Sequence, residues 1–285
     1  AADMKSGIAA FIAAVSEFIE TNKNLKDYGS ISFIITSDEE GKAINGTKKV
    51  VEWLINKSEK ISGCIVGEPT NVNQMGDTIK IGRRGSFTGS LIVKGIQGHV
   101  GYPDLAENPI NSLLKMLEPF TKIYLDKGTN EFQPSSVMIT TIDVNNDASN
   151  VIPGEVKAKF NIRFNTLHSV ASLKSMLKNQ FDAITKNYEF DYFCNAEPFL
   201  TSDEELKSTL QNAITKVVNV NPEKSTTGGT SYARFIAKLC PVIEFGLVGK
   251  TMHKIDENVE VDDIMKLTSI YNKFLHNYFR VEKND

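Results

Sequence analysis

The stretch INGTKKVVEWLINKSEKISGCIVGEP, residues 44–69, contains the pattern that decides the fold. Its first part carries apolar residues at helical spacing, with Val51 and Leu54 among them. Its second part, SGCIVGEP, is typical of a short buried strand that ends at the acid Glu68. A helix followed by a buried strand is the repeating unit of an α/β fold, so this stretch predicts a mostly parallel sheet flanked by helices.

The same alternation extends in both directions from this stretch. Residues 4–20 show helical spacing, and residues 31–36 form a β-rich apolar run that leads into Asp38, Glu39 and Glu40. Toward the C-terminus the sequence predicts a helix, a second helix, a strand and a long amphipathic helix, over residues 202–219, 231–239, 240–246 and 261–279.

The middle of the chain has a different pattern. Its predicted order is strand, helix, strand, strand, helix, strand, over residues 86–98, 108–120, 135–145, 155–165, 169–185 and 188–198. This order is that of a split-βαβ (ferredoxin-like) α+β domain. We therefore expect an inserted domain at 86–195 and an α/β domain made of 1–85 and 196–285.

Composition and charge narrow the class of protein. The 285 residues carry a formal net charge of −3 with a pI of about 5.9, so nothing points to a nucleic acid or a membrane surface as partner. No apolar run approaches the roughly 18 residues of a membrane-spanning helix. The cysteines Cys64, Cys194 and Cys240 are widely spaced, which favours a reducing compartment, the cytoplasm, and no cysteine metal site.

Ionisable residues follow the predicted strands of the α/β domain. In an open α/β sheet, ligands bind beyond the carboxyl ends of the strands. Asp3, which lies just before the first helix, would meet Glu39, Glu40, Glu68 and His253 there. Gathered carboxylates repel one another unless a cation neutralises them. Oxygen ligands with an imidazole suit zinc or a related divalent metal. Each acid could instead cap a helix, and the histidine could be a surface residue, so the prediction depends on their occurring together.

Ten short motifs occur along the chain in a fixed order. They are AADMKSG (1–7), TSDEEG (36–41), GEPT (67–70), GRRGS (82–86), GIQGHVGYP (95–103), LAENPI (105–110), SNVIPGE (149–155), RFN (163–165), GGTSYARF (228–235) and MHKIDENV (252–259). With these motifs the chain resembles the dinuclear-zinc aminoacylase/carboxypeptidase-like metallohydrolase family over essentially its whole length.

The resemblance implies a metal site and a reaction. Asp3 would bridge two zinc (or cobalt) ions, Glu40 and His253 would bind one ion, Glu68 would bind the other, and Glu39 would be the general base. The implied reaction is hydrolysis of N-succinyl-LL-2,6-diaminopimelate to succinate and LL-2,6-diaminopimelate, a step of lysine and diaminopimelate biosynthesis.

The resemblance also implies how the substrate is bound. His99 would come from the second subunit of a homodimer and polarise the scissile carbonyl, and the inserted domain would serve as dimerisation surface and lid. Guanidinium groups grip carboxylates with two hydrogen bonds, which suits a carboxylate-rich substrate. The implied substrate-binding residues are Arg83, Arg84, Ser86, Tyr102, Asn150, Arg163, Gly229 and Thr230.

Two departures from the family leave alternatives open. The family carries an upstream segment with a zinc-binding histidine, so we expect the 285-residue polypeptide to be a fragment with one zinc site incomplete and little activity by itself. Tyr232 and Ala233 stand where the family has aspartate and glycine. The alternatives are another N-acyl amino acid, such as N-acetylornithine, or a peptide as substrate, and a non-catalytic dimerising or ligand-binding protein on the same fold.

Overall fold

The computed structural model describes residues 1–22, 28–37 and 44–281, which form two compact units. The discontinuous unit comprises Ala1–Arg83 and Leu200–Asp285, and the inserted unit comprises Arg84–Phe199. The sequence prediction places the inserted domain at 86–195.

The helices and strands follow in chain order. The first part of the discontinuous unit contains α1 (Lys5–Thr21), α2 (Thr47–Asn56), β1 (Cys64–Val66), β2 (Thr78–Lys80) and β3 (Gly82–Arg83). The inserted unit contains β4 (Gly85–Lys94), β5 (Gly98–His99), α3 (Pro109–Leu117), β6 (Ser136–Asp143), β7 (Val151–Ile152), β8 (Glu155–Phe164), α4 (Val170–Asp182) and β9 (Tyr188–Ala196). The chain then runs through β10 (Phe199–Leu200), α5 (Glu204–Val218), β11 (Glu223–Ser225), α6 (Ala233–Ile236), β12 (Val242–Glu244) and α7 (Val261–Tyr278).

The discontinuous unit is built on a mixed, mostly parallel sheet, as the sequence predicts. Its strand order is β1-β12-β2-β11. The pairs β1–β12 and β2–β11 are parallel, and β12 meets β2 antiparallel where Glu244 lies opposite Lys80. Ile79 and Ile243 lie on the two central strands, β2 and β12, and are fully buried.

Helix α1 joins the two chain segments of this unit because it packs against α7, which also packs against α5. Ala10, Ala14 and Phe18 recur every fourth residue of α1 and are buried, as one face of a helix requires. Phe11 stacks on Tyr271 of α7 with ring centroids 3.8 Å apart. Each large side chain buried in this way stabilises the unit by about 1.5–3 kcal/mol.

The inserted unit has the predicted β-α-β-β-α-β order. Its sheet is antiparallel with strand order β6-β8-β4-β9, and burial alternates along β8 so that Phe160 and Ile162 face the core. Gly89 lies directly beneath the Phe160 ring, where a Cβ atom would come within 2.2 Å of the ring. Asn108 caps the N-terminus of α3, because its side chain accepts a hydrogen bond from the backbone N–H of Ile110.

Two predicted elements differ from the structure. Residues 31–36 form no strand within the described part of the chain, and Phe33 and Ile35 are 44% and 61% exposed. A strand requires a neighbour for its backbone hydrogen bonds, and the described residues supply none for this run. The helix predicted at 231–239 is only α6, because tighter bonds follow it, such as Leu239 N–H to Ile236 C=O at 2.8 Å.

No helix that the described residues form is both long enough and apolar enough to cross a membrane.

Asn71 ties together the loops that leave β1 and β12. Its side chain is buried and donates to the carbonyl of Gly246 at 2.6 Å. Its amide oxygen accepts from the backbone N–H groups of Gly76 and Thr78 at 3.0 and 3.1 Å. One side chain thus satisfies three buried backbone groups near the carboxyl end of the sheet.

We expect the substitution Asn71→Ala to lower the free energy of unfolding by about 2–4 kcal/mol, because buried backbone groups lose their partners. Urea denaturation followed by circular dichroism measures the change. Asn73→Ala is the matched control, since Asn73 is exposed on the same loop and its loss should cost under about 0.5 kcal/mol. Equal midpoints for the two variants would contradict this role for Asn71.

Candidate active site

Asp3 and His253 lie in contact although 250 residues separate them. Asp3 lies two residues before the start of α1, and its side chain is 14% exposed. His253 lies in the turn region between β12 and α7, and its Nε2 is 3.0 Å from Asp3 Oδ2. Two of the predicted metal ligands therefore meet in the structure.

Glu257 holds the backbone on both sides of this contact. Its carboxylate accepts hydrogen bonds from the backbone N–H of Asp3 at 3.2 Å and from that of His253 at 3.4 Å. Glu257 thus hydrogen-bonds to both the segment before α1 and the segment before α7.

Glu68 lies just beyond the carboxyl end of β1 and is half-buried. The β1–β12 pairing continues past the strands through the bond from Phe245 N–H to Val66 C=O at 2.9 Å. Gly67 packs closely on the start of α1, since a Cβ atom there would come within 2.9 Å of Met4 Cε. Glu68 is therefore carried by a segment that touches the one carrying Asp3.

Glu39 and Glu40, the predicted base and a predicted metal ligand, lie outside the described residues. Within the described ranges no group of three or more histidine, cysteine, aspartate or glutamate side chains is arranged to hold a metal ion. The described residues instead supply the pair Asp3 and His253. A carboxylate oxygen beside an imidazole nitrogen is a donor set that suits zinc, so the chemistry of this pair fits a divalent metal.

A short ribbon of the inserted unit brings together His99, Tyr102 and Asn150. Strand β5 pairs antiparallel with β7, and the backbone N–H of Val100 donates to the carbonyl of Asn150 at 3.0 Å. The rings of His99 and Tyr102 have centroids 5.7 Å apart. All three predicted substrate-site residues are exposed on this ribbon.

The backbone fixes which nitrogen of His99 can donate. The N–H of Gly101 donates to Nδ1 of His99 at 3.0 Å, so in the neutral ring the proton resides on Nε2. Nε2 is therefore a hydrogen-bond donor, which is the state needed to polarise a carbonyl oxygen.

Arg84, Ser86 and Arg163 lie at one end of the antiparallel sheet. Ser86 of β4 is directly opposite Arg163 of β8. Arg84 donates to the carbonyl of Pro134 at 3.3 Å, and its Nε is buried with no hydrogen-bond partner among the described residues. Burial, and then the charge of Arg163, lowers the pKa of Arg84. Two neighbouring guanidinium groups of this kind favour an anion between them.

Arg83 makes its contacts within the protein. It forms a buried ion pair with Glu244, and its Nη1 donates to the carbonyl of Thr227 at 2.9 Å. Gly229 is exposed and Thr230 is half-buried, on the loop that these bonds hold. Direct substrate contact by Arg83 stays a prediction.

Two buried charged residues on neighbouring strands, Lys80 and Glu244, were not predicted from the sequence. The sequence feature that could have identified them is a charged residue within an apolar strand, in TIKIG (78–82) and PVIEFG (241–246). Charged side chains are seldom fully buried unless they are paired, so such a position marks a specific role.

The family model described as Peptidase family M20/M25/M40 matches residues 1–277. The chain is 53% identical over 281 residues to the succinyl-diaminopimelate desuccinylase of Pelagibacter ubique, covering 97% of this chain and 73% of the relative. It is 49% identical over 279 residues to the enzyme of the same name from Rhodospirillum centenum, covering 98% of this chain and 72% of the relative.

Solved structures share the fold at low sequence identity. Aminopeptidase PepT from Bacillus cereus has a TM-score of 0.75 at 18% identity, covering 97% of this chain and 71% of that chain. A dinuclear metal binding peptidase from the M20 family of Bacillus subtilis has a TM-score of 0.70 at 14% identity, covering 97% and 72%. With the family model matched over nearly the whole length and relatives of this identity, the chain belongs to peptidase family M20/M25/M40.

Proposed function

We propose that the protein hydrolyses the amide bond of N-succinyl-LL-2,6-diaminopimelate and releases succinate and LL-2,6-diaminopimelate. The observation that carries this proposal is the 53% identity over 97% of the chain to a relative named for that reaction. Three further relatives at 48–49% identity carry the same name. The product diamino acid places the enzyme in lysine and diaminopimelate biosynthesis.

We propose that two divalent ions, zinc or cobalt, act in this site. Asp3 would hold both ions, His253 and Glu40 one of them, and Glu68 the other. A bound divalent ion supplies Lewis acidity, which polarises a carbonyl and makes a water molecule more acidic. The contact between Asp3 and His253 supports this assignment, because these two side chains already lie within reach of each other.

The chain's own residues would divide the remaining chemistry. Glu39 takes a proton from the attacking water and passes it to the leaving amine. His99 donates its Nε2 proton as a hydrogen bond to the carbonyl oxygen as negative charge develops there. Its bond from Gly101 keeps that proton on the correct nitrogen.

Binding of the substrate carboxylates falls to two groups of residues. Arg84 and Arg163, with Ser86 of β4 directly opposite Arg163, would hold one carboxylate in the inserted unit. Gly229 and Thr230 would offer polar groups of their loop to another. Tyr102 and Asn150 would approach the substrate beside His99, because the β5–β7 ribbon carries all three.

The homodimer, the lid role of the inserted unit and the cytoplasmic location are also proposals. The exposure of His99, Tyr102 and Asn150 on one ribbon suits residues that reach into a neighbouring subunit. Cys64 and Cys240 are thiols, which suits a reducing compartment.

We expect the full-length protein loaded with zinc to release succinate from N-succinyl-LL-2,6-diaminopimelate, with kcat/KM at least about 100-fold above that for N-acetylornithine. The reason is that the free carboxylate of the succinyl group would pair with arginine residues, which an acetyl group would leave unpaired. Glu39→Gln is the control for chemistry at this site and should lower kcat by about 10²–10⁴-fold. Preference for the acetyl substrate, or metal binding without turnover of either, would overturn the proposal.

We expect Arg84→Met to raise KM about 10–100-fold while kcat changes little, because the arginine binds substrate away from the scissile bond. Arg84→Lys should restore little of the loss, since an ammonium cannot make the paired bonds of a guanidinium. Lys159→Met, an exposed cation on β8, is the matched control. A KM unchanged by loss of Arg84 would remove this residue from the site.

We expect the protein to sediment as a dimer at micromolar concentration and to share residues across its subunits. His99→Ala and Glu39→Gln dimers should each be nearly inactive. Because a mixed dimer would rebuild one intact site, co-expression of the two should recover roughly a quarter of the wild-type rate. A monomer, or the absence of any recovery, would show that His99 does not act in the partner's site.

A further inference from the structure

The loop Thr226–Ser231 is anchored at both ends and exposed at its tip. Thr226 and Ser231 are buried, whereas Gly228 and Gly229 are exposed. Gly228 has a φ of +99°, in the region that favours glycine, and a Cβ atom there would come within 2.6 Å of Arg83 Nη1. The tip therefore has a defined conformation directly above a guanidinium group.

Glu244 anchors the C-terminal end of this loop. It is fully buried on β12, and its carboxylate accepts a hydrogen bond from the hydroxyl of Ser231. Arg83 Nε lies 3.1 and 2.9 Å from the two carboxylate oxygens, and Arg83 Nη1 donates to the carbonyl of Thr227. The acid thus holds Ser231 directly and Thr227 through the arginine.

Lys80 anchors the N-terminal end. It is 7% exposed on β2, directly opposite Glu244 of β12. Its ammonium donates to the hydroxyl of Thr227 at 2.7 Å and to that of Ser225 at 3.1 Å. Burial, and then the charge of Arg83, lowers the pKa of Lys80 to about 8.

The cluster formed by Lys80, Arg83 and Glu244 holds two cations and one carboxylate. A buried ammonium is expensive, and an apolar side chain would fill the strand position without that cost. A buried lysine at position 80 is explained if the net positive charge of the cluster, and the hydroxyls of Ser225 and Thr227 that Lys80 holds, serve the function of the exposed loop. A net positive charge beneath the backbone N–H groups of a loop favours binding of an anion at that loop.

We propose that Lys80 and Glu244 are positioning residues that hold the loop Thr226–Ser231 in the conformation that binds a substrate carboxylate. This inference rests on the proposed function, in which Gly229 and Thr230 contact the substrate. Lys80 acts through Thr227, and Glu244 acts through Arg83 and Ser231. Neither residue need touch the substrate.

The first test needs no substrate. Hydrogen–deuterium exchange of the full-length protein should show that Lys80→Met speeds exchange of the loop amides at 226–231 several-fold, while the rest of the sheet is unchanged. The matched control is Lys224→Met, which removes a partly exposed cation from the adjacent strand β11. Loop exchange equal in the two variants would overturn the proposal.

The second test separates positioning from a general structural role. We expect Lys80→Met to raise KM for N-succinyl-LL-2,6-diaminopimelate about tenfold and to leave kcat within about twofold. Thr227→Val removes the hydroxyl that Lys80 holds and nearly keeps its shape, so it should raise KM in the same direction. The double variant should be no worse than Lys80→Met alone, because both changes break one linkage. Additive losses, or a fall in kcat with KM unchanged, would overturn the proposal.

Glu244→Gln covers the other end of the loop and keeps the shape of the acid. It should also raise KM and speed loop exchange, with zinc content equal to that of the wild type. If zinc content fell instead, Glu244 would act on the metal site and the assignment would be wrong. Failure of the wild type to hydrolyse the substrate would count against the proposed function alone, because the exchange experiment still decides whether Lys80 anchors the loop.

Discussion

The contact between Asp3 and His253 depends on the packing of α1 against α7 in the discontinuous unit. These side chains come from distant parts of the described chain, and the packing of α1 along α7 helps to bring their segments together. The apolar face of α1 and the stacked rings of Phe11 and Tyr271 therefore stabilise more than a core. They set the spacing of a carboxylate and an imidazole at the mouth of the sheet. Glu257 accepts hydrogen bonds from the backbone N–H groups of both residues and so further restricts the distance between them.

The structure supports each kind of polar residue with a different device. Glu68 lies beyond the carboxyl end of β1, and Asp3 and His253 lie on the segments that precede α1 and α7. His99 lies on a two-stranded ribbon, and its tautomer is set by a backbone N–H only two residues away. Arg84 and Arg163 lie on or beside strands of a well-packed antiparallel sheet. The sheet holds the two guanidinium groups near each other although their charges repel. Such fixed, unfavourable arrangements are tolerated where a bound group can relieve them.

Periodicity predicts much of this fold, but not the pairings between distant segments. The helix and strand spacing around residues 44–69 predicts the α/β unit, and the order of six elements predicts the inserted unit. Residues 31–36 were predicted to be a strand on composition alone, and composition does not show whether a neighbouring strand is present. The joint occurrence of acids and His253 predicts a shared site; His253 contacts Asp3 in the structure, and the metal site itself stays a prediction. Lys80 and Glu244 were missed because their partnership follows from β2 lying antiparallel to β12, a pairing that no local pattern reveals. The tautomer of His99 was missed for a similar reason, since it follows from a turn geometry.

The division of the discontinuous unit into two chain segments has a consequence for biogenesis. The inserted unit is contiguous and has its own core, so it can complete its packing while the rest of the chain is still being synthesised. The other unit must wait for α7, which follows the insert in the chain, before α1 can bury its apolar face. Until then the part of that face that α7 covers stays exposed to solvent. The two chain segments that carry Asp3 and His253 are joined by contacts of high sequence separation, which form slowly because loop closure precedes any gain from packing.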